Sequence, residues 1–287
     1  MTGEGARELP LGAANAIEII EGGPDSRVIL LCDHAGCRVP GEYADLGLHR
    51  DQLERHIGWD IGAADVTRAL ARSLGATAIL DHVSRLVVDP NRRPFTPSSI
   101  PPVSDGCVVP GNENLDRAQA LDRVRRWFLP YHRTVARVIA RHRRRGAVPA
   151  IVAVHSFTPH MNRQDRPWQV GVLWRGDRRL SAPVLEALQR RDGLMVGDNQ
   201  PYSGLREFGF TVTFHAQRAR LPHIMFELRQ NEVDSRAKAE KWAGILHEVL
   251  SGPLGDDTLY RTYEGDNHTP IGGLVSWRHA SRASPLA

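Results

Sequence analysis

Five short apolar runs are the feature of this sequence that most restricts its fold. They lie at residues 27–33, 76–82, 150–156, 169–174 and 223–229. Each run is shorter than a typical helix and has the length and composition of a buried strand. Segments with helical spacing lie between the runs. This alternation predicts an α/β sandwich around a mostly parallel or mixed sheet.

The segments between the runs predict four helices and two long loops. Helical spacing is found at residues 61–75, 115–146, 179–191 and 232–250. The second of these segments contains Pro130, where we expect a kink because proline breaks the helical hydrogen-bond pattern. Loops 89–116 and 197–217 are long enough to be binding loops or lids.

Length and composition fit one domain in a reducing compartment. The chain has 287 residues, of which 41% are hydrophobic and 24% charged. We expect a single domain with its core at about residues 16–252 and peripheral tails at 1–15 and 253–287. No signal peptide is evident, no apolar run approaches the ~20 residues of a membrane span, and only three cysteines are present. These features predict a cytoplasmic protein without a membrane partner.

The net charge of +4 is partly concentrated in the run RHRRRG, residues 141–146. Such a run is typical of a solvated C-terminal helix end. It lacks the interleaved aromatic residues and the recognisable module of a nucleic-acid-binding protein. We therefore expect no nucleic-acid partner.

Polar residues follow four of the predicted strands. Asp33 and His34 follow the first run, and Arg85 comes shortly after the second. His155 ends the third run, and Glu227 lies near the end of the fifth. In open α/β sheets, ligands bind outside the carboxyl ends of the strands. We therefore expect these side chains to converge on one edge of the sheet.

Two histidines and a carboxylate at one edge are the ligand set of a hydrolytic zinc site, in which a fourth position stays open for water. His34 and His155 supply the imidazoles. No glutamate stands three residues after His34, where position 37 is cysteine. Asp60, in the segment ERHIGWDIGA, is the preferred third ligand, and Asp33 and His56 are the alternatives. One Zn²⁺ per chain is the expected cofactor.

The remaining polar groups fit the other roles that such a site needs. Glu227 is the candidate general base, which takes a proton from water and passes it on. Arg85 is the candidate for stabilising charge on the carbonyl oxygen. Four further residues are candidates for contacts with the substrate: Asn91, Arg92, Tyr202 and Arg229. An arginine can bind a substrate carboxylate through two parallel hydrogen bonds.

Structural interpretations of the same residues stay open at this point. Each histidine could be an ordinary loop residue, and Glu227 could form a structural ion pair. The sequence contains no GxGxxG after a strand, no P-loop, no GxSxG and no HExxH motif. The rival from another class is a binding protein that has kept the fold and lost the metal.

Eight segments, in this order, resemble the N-formylglutamate amidohydrolase family: CDHAGCRVP, ERHIGWDIGA, SRLVVDPNRRP, IPPVSDG, VHSFTP, VGVLW, GDNQPYSG and ELRQ. The resemblance extends over roughly residues 25–250. The family is grouped with zinc carboxypeptidases and aspartoacylase-type deacylases. The resemblance therefore implies a three-layer α/β/α sandwich with a mixed sheet, and one zinc ion that serves in the hydrolysis of an amide.

The resemblance also implies roles for single residues. His34 in HAG matches the first zinc histidine, and His155 in VHS matches the second. Glu227 matches the general base that is carried on a strand. The substrate-contacting pattern of the deacylases falls on Arg85, Asp89, Asn91 and Arg92.

The implied reaction converts N-formyl-L-glutamate and water into formate and L-glutamate, a step in histidine breakdown. SFTP and ELRQ are typical of a branch of the family whose members are not all shown to act on formylglutamate. The alternative is a deacylase or carboxypeptidase-like hydrolase of another N-acyl amino acid or peptide. The sequence does not indicate whether the protein is a monomer or an oligomer.

Overall fold

The structure is a computed structural model that describes residues 15–161, 163–204 and 209–266. Its centre is a seven-stranded sheet. The strands of the sheet are β1 (Ile17–Ile20), β2 (Val28–Cys32), β3 (Thr77–Asp81), β6 (Ala150–Phe157), β9 (Val170–Leu173), β10 (Val196–Asp198) and β11 (His223–Arg229). Two small hairpins lie outside it: β4 (Val103–Ser104) with β5 (Cys107–Val108), and β7 (His160–Met161) with β8 (Gln164–Asp165).

The sheet is mixed and mostly parallel. Its strand order is β1-β3-β2-β6-β11-β9-β10. The four central strands β3, β2, β6 and β11 run in one direction. The edge strand β1 pairs antiparallel with β3, and β9 pairs antiparallel with β11. The carboxyl ends of the four central strands therefore meet at one edge.

The helices in the described residues are α1 (Arg50–Leu53), α2 (Ala63–Leu74), α3 (Arg117–Arg123), α4 (Leu129–Arg144), α5 (Ser181–Gln189), α6 (Phe210–Val212) and α7 (Arg236–Gly255). Their ends follow local sequence signals. Gly75 closes α2 in the left-handed conformation with a φ of 58°. Asp116 caps α3 by accepting a hydrogen bond from the backbone N–H of Gln119 at 2.8 Å.

Helices pack on both faces of the sheet because strand side chains alternate between the faces. On one face, Leu30, Val152 and Phe226 pack with residues of α2, α5 and α7. On the other face, their neighbours Ile29, Ile151 and Met225 pack with residues of α4 and the segment after α6. A third cluster joins the loop before α1, the segment after β3 and the π-helical segment Val124–Phe128. The predicted three-layer sandwich is confirmed.

All five predicted strands lie in the sheet. The long helical segment consists of α3, the π-helical segment and α4. Pro130 is the second residue of α4, and the π-helical segment ends at Phe128, two residues before it. The run of arginines lies in the last turn of α4, in agreement with the interpretation as a helix end.

The expected end of the core, at about residue 252, falls inside α7, which continues through Pro253 to Gly255. Leu254 and Leu259 are buried against the core, so this part of the expected tail packs on the domain. Residues 1–14 and 267–287 of the expected tails lie outside the described residues. None of the helices in the described ranges combines the length and apolarity that spanning a bilayer needs.

Candidate active site

The carboxyl ends of β2, β6 and β11 bring three of the predicted site residues together. His155 and Glu227 are directly paired in the parallel register of β6 and β11. His34 follows β2, which is the other neighbour of β6. Glu227 follows Met225 by two residues, and the pleat therefore points it toward the face covered by α4.

His34, Asp60 and His155 form one buried cluster, which we call the His–Asp–His group. One ligand atom of each residue lies within 4.8 Å of those of the other two. Asp60 Oδ2 is 3.3 Å from His34 Nδ1 and 2.9 Å from His155 Nδ1. All three residues are about 2% exposed, so water competes little for these atoms.

Backbone contacts fix Asp60 in this position. Its N–H donates to the carbonyl oxygen of His34 at 3.0 Å, and Ser156 N–H donates to its Oδ2 at 3.3 Å. Gly62, at the start of α2, has a φ of +79°, and a Cβ there would lie 2.1 Å from the carbonyl oxygen of Val233. Only glycine can take this turn, which directs the chain from Asp60 into α2.

Each histidine of the group uses its second ring nitrogen to contact another carboxylate. His34 Nε2 is 2.8 Å from Asp89 Oδ1, and His155 Nε2 is 3.2 Å from Asp33 Oδ2. Tyr131 of α4 donates its hydroxyl to Asp33 Oδ1 at 2.5 Å. A carboxylate on the far side of an imidazole fixes the tautomer and ring orientation of a metal-ligating histidine.

This arrangement fits a catalytic metal ion in donor type and in spacing. The Nδ1 atoms of both histidines face Asp60 Oδ2, and their Nε2 atoms face Asp89 and Asp33. A metal ion that took the place of the Nδ1 protons would leave the protonated Nε2 atoms facing these second carboxylates. Two imidazole nitrogens and one carboxylate oxygen are a known ligand set for catalytic zinc.

Arg85 lies across the His–Asp–His group. Its Nη1 is 3.3 Å from Asp60 Oδ1, and its Nη2 contacts both ring nitrogens of His34. Its Nε lies 3.8 Å from Asp89 Oδ2. The Arg85 backbone N–H donates to the carbonyl oxygen of Gly58 at 3.1 Å, which ties it to the segment that carries Asp60.

The charges of the cluster shift several pKa values. Burial raises the pKa of Asp60, but Arg85 and the two histidines outweigh it and hold the pKa well below its usual range. Burial lowers the pKa of His155, yet Asp33 and Asp60 together raise it well above the ordinary value. Without a metal, the cluster is therefore an ion-pair network of anionic carboxylates and cationic partners.

A cavity of about 330 Å³ opens at the His–Asp–His group, and we call it the first cavity. Its wall includes Arg85 and Glu227. Burial raises the pKa of Glu227 to about 7, although His155 opposes the shift. A carboxyl group with such a pKa exchanges protons readily near neutrality, as a general base must.

Three of the four predicted substrate-contacting residues line the first cavity: Asn91, Arg92 and Tyr202. Arg229 does not. Its Nη1 donates to the carbonyl oxygen of Pro167 at 3.0 Å, and its Nη2 pairs with Glu232 at 2.9 Å. Arg229 lies two residues beyond Glu227, or about 7 Å further along the strand. The structure therefore places the Arg229 guanidinium outside the first cavity, where neighbouring groups engage it.

The two alternative third ligands also occupy other places. Asp33 contacts the far nitrogen of His155, and His56 Nε2 lies 3.0 Å from Asp105 Oδ2 outside the first cavity.

Sequence reasoning did not find Tyr131, which is 98 residues from its partner Asp33. The tyrosine stands in the middle of a helical segment, and no local pattern distinguishes it from a core aromatic residue.

The fold and the site together define a class: a three-layer α/β protein with a buried His–Asp–His group at the carboxyl ends of its central strands. The sequence model of the N-formylglutamate amidohydrolase family matches residues 26–233. The chain belongs to this amidohydrolase family. The match includes every residue of the site described above, from Asp33 to Glu227.

Two solved structures share the fold of this chain. The chain is similar to the crystal structure of gene product Atu2144 from Agrobacterium tumefaciens, with 32% identity, a TM-score of 0.79, and 85% of this chain and 96% of that chain covered. It also shares its fold with N-formylglutamate amidohydrolase from Ralstonia eutropha JMP134, at 19% identity and a TM-score of 0.57, with 83% and 95% covered. No curated protein matches the chain significantly.

Proposed function

We propose that this protein is a zinc-dependent amidohydrolase that removes the formyl group from an N-formyl amino acid, with N-formyl-L-glutamate as the first substrate to test. The observation that carries the proposal is the His–Asp–His group in one cavity with Glu227 and Arg85. Membership of the family and the likeness to the Ralstonia eutropha enzyme support the choice of a formyl amide.

In this proposal His34, Asp60 and His155 hold the metal ion. Zinc bound there would supply a positive charge that polarises the amide carbonyl and makes water more acidic. Asp89 and Asp33 lie beside the Nε2 atoms and would favour, in the metal-bound protein, the tautomer that binds through Nδ1.

The protein's own groups carry the proton transfers and the binding. Glu227 takes a proton from the attacking water and delivers it to the nitrogen of the leaving amine. Arg85 stabilises the negative charge that develops on the carbonyl oxygen. Asn91, Arg92 and Tyr202 line the cavity where the amino-acid portion would bind, and Arg92 offers a guanidinium for its carboxylate.

The test combines metal analysis with a substrate assay. Protein purified without chelator should contain about one zinc per chain and release formate from N-formyl-L-glutamate. His155→Ala should lose both the metal and the activity. The matched control is His56→Ala, which should keep both because His56 contacts Asp105 outside the first cavity.

Two results would contradict the proposal. Protein that holds no metal but binds the substrate would indicate a binding protein on the same fold. Release of acetate from N-acetyl amino acids, without release of formate from formyl compounds, would favour the deacylase alternative.

A further inference from the structure

A second cavity, of about 530 Å³, adjoins the first. Both cavities are lined by Arg85, Arg92, Ser156 and Tyr202. These four residues therefore form the boundary between the two spaces. A molecule that is bound at the His–Asp–His group and reaches past these four residues would enter the second cavity.

Tyr202 is held at the boundary by a neighbouring cation. Arg166 Nη1 donates to the Tyr202 hydroxyl oxygen at 3.0 Å, and the guanidinium carbon lies 4.9 Å from the centre of the ring. The side chain has both a hydrogen bond and a cation–π contact in this place. The boundary is thus built by specific contacts.

The wall of the second cavity differs in chemistry from that of the first. The second cavity has the more apolar wall of the two. It combines polar residues such as His56, Ser98, Asp105 and Thr158 with an apolar group that includes Pro97, Pro101, Pro102, Val103, Phe157 and Met161. A ligand that buries apolar surface against such side chains binds more tightly, because that surface is removed from water. The first cavity also contains apolar residues such as Leu173 and Met225, but it holds the charged and amide groups of the reaction site.

The volumes of the two cavities can be compared with the size of an N-formyl amino acid. Pockets that bind small molecules measure roughly 300–1,000 Å³. At about 330 Å³ the first cavity is at the lower end of this range and has room for an N-formyl amino acid. The larger second cavity offers space that N-formylglutamate alone does not need.

We propose that the second cavity binds an apolar group on the amine side of the scissile amide, so that the preferred substrates are N-formylated dipeptides with an apolar second residue. This inference rests on the proposed function. A formyl group has a single carbon, so any part of a formylated substrate that reaches the second cavity must belong to the amine. Hydrolysis would release formate and the free dipeptide, with one water consumed.

The test compares two substrates on the zinc-loaded protein: N-formyl-L-glutamate and N-formyl-L-glutamyl-L-leucine. Burial of the leucine side chain should raise kcat/KM for the dipeptide by about tenfold or more over that for the amino acid. Formate release is the readout for both substrates.

Val103→Trp should fill the second cavity and remove the preference, while kcat/KM for N-formyl-L-glutamate stays within about twofold. The matched control is Val108→Trp. Val108 pairs with Val103 across the hairpin and is similarly exposed, at 50% against 53%, but it lines neither cavity. If Val103→Trp folds poorly, Ser104→Trp places the same bulk at the next wall position.

The outcomes separate the two proposals. Formate from N-formyl-L-glutamate with no preference for the dipeptide, or a preference that Val103→Trp and Ser104→Trp leave unchanged, overturns the role of the second cavity and leaves the proposed function standing. Failure of both substrates to release formate overturns the proposed function and this inference with it.

Discussion

Glu227 combines deep burial with a place beside the His–Asp–His group, and this combination sets its chemistry. It is 7% exposed, and burial raises its pKa to about 7. A positive metal ion nearby would favour the carboxylate and lower this pKa. A group that must accept a proton works only when ionised. If Glu227 is the general base of the proposed reaction, kcat/KM of the zinc-loaded protein should rise with pH along an acid limb at or below about pH 7.

Glu227→Gln tests the role of this carboxylate. The amide keeps the shape of the side chain but cannot accept a proton, so kcat should fall by about 10²–10⁴-fold. Zinc content should stay near one per chain, and the acid limb due to Glu227 should disappear. The control is Glu232→Gln, whose carboxylate pairs with Arg229 and which lines neither of the two cavities. A Glu227→Gln enzyme with near-normal kcat would assign the base to another group.

The candidate site residues that the sequence could locate are those that stand at the end of a strand. His34, His155 and Glu227 follow apolar runs, and the topology brings them together. Arg229 also stands at a strand end, but its side chain donates hydrogen bonds to the carbonyl oxygens of Arg166 and Pro167 instead of facing the site. Such distinctions depend on tertiary neighbours, which a strand pattern does not encode.

At the scale of the element, the loop after β10 is placed by a close approach to β9. A Cβ on Gly171 would lie 1.9 Å from the carbonyl oxygen of Gln200. Gly171 is the residue of β9 that pairs with Glu227 of β11. The absence of a side chain at this point lets the loop that carries Tyr202 lie over the strand beside the site.

Gly171→Ala should therefore displace this loop. We expect the free energy of unfolding to fall by about 1–3 kcal/mol, because backbone atoms on both sides must move. The KM for N-formyl-L-glutamate should rise, since Tyr202 moves with the loop. The measurements are urea unfolding and steady-state kinetics.

The control is Gly244→Ala in α7, where an added Cβ meets nothing within 4 Å. Alanine is preferred over glycine inside a helix by about 1 kcal/mol, so this variant should gain stability. If Gly171→Ala were as stable as Gly244→Ala, the close approach of Gly171 to Gln200 would not contribute to the free energy of unfolding.

The elements that sequence reasoning missed are those with the weakest signals. Strands β1 and β10 contain four and three residues and lie at the two edges of the sheet. β1 includes the polar residue Glu18 and is only partly buried, and β10 includes Gly197. Edge strands need not be continuously apolar, so their sequences resemble loops. The central strands are covered on both faces and show as unbroken apolar runs.

At the scale of the whole molecule, a buried pair of histidines links α4 to the segment after α6. His132 Nδ1 is 2.9 Å from His215 Nε2, and His132 Nε2 is 3.0 Å from the carbonyl oxygen of Pro90. Burial lowers the pKa of His132 to about 4 and that of His215 to about 3. Both rings are therefore neutral in the folded protein at pH 7.

This pair predicts a loss of stability in mild acid. In the unfolded chain both histidines have pKa values near 6.5. As the pH falls below about 6.5, the unfolded state takes up protons that the folded state does not, and the free energy of unfolding decreases. The loss should continue down to about pH 4 for His132 and about pH 3 for His215, at up to about 1.4 kcal/mol per pH unit for each.

Urea unfolding at pH 7, 6 and 5 measures this slope. The double variant His132→Asn, His215→Asn should unfold more easily at pH 7 but show a flatter dependence on pH. If the free energy of unfolding changed equally with pH in the two proteins, the folded state would not keep this histidine pair neutral.

The order of the site residues along the chain bears on protein synthesis. His34, Asp60 and His155 all precede the end of β6, whereas Glu227 comes only with β11. A nascent polypeptide emerging from the ribosome exposes the three candidate ligands first and the candidate proton acceptor last. A prematurely terminated product ending between these two strands would thus retain the whole His–Asp–His group but lack Glu227, so on the proposed function it should bind the cation without turnover.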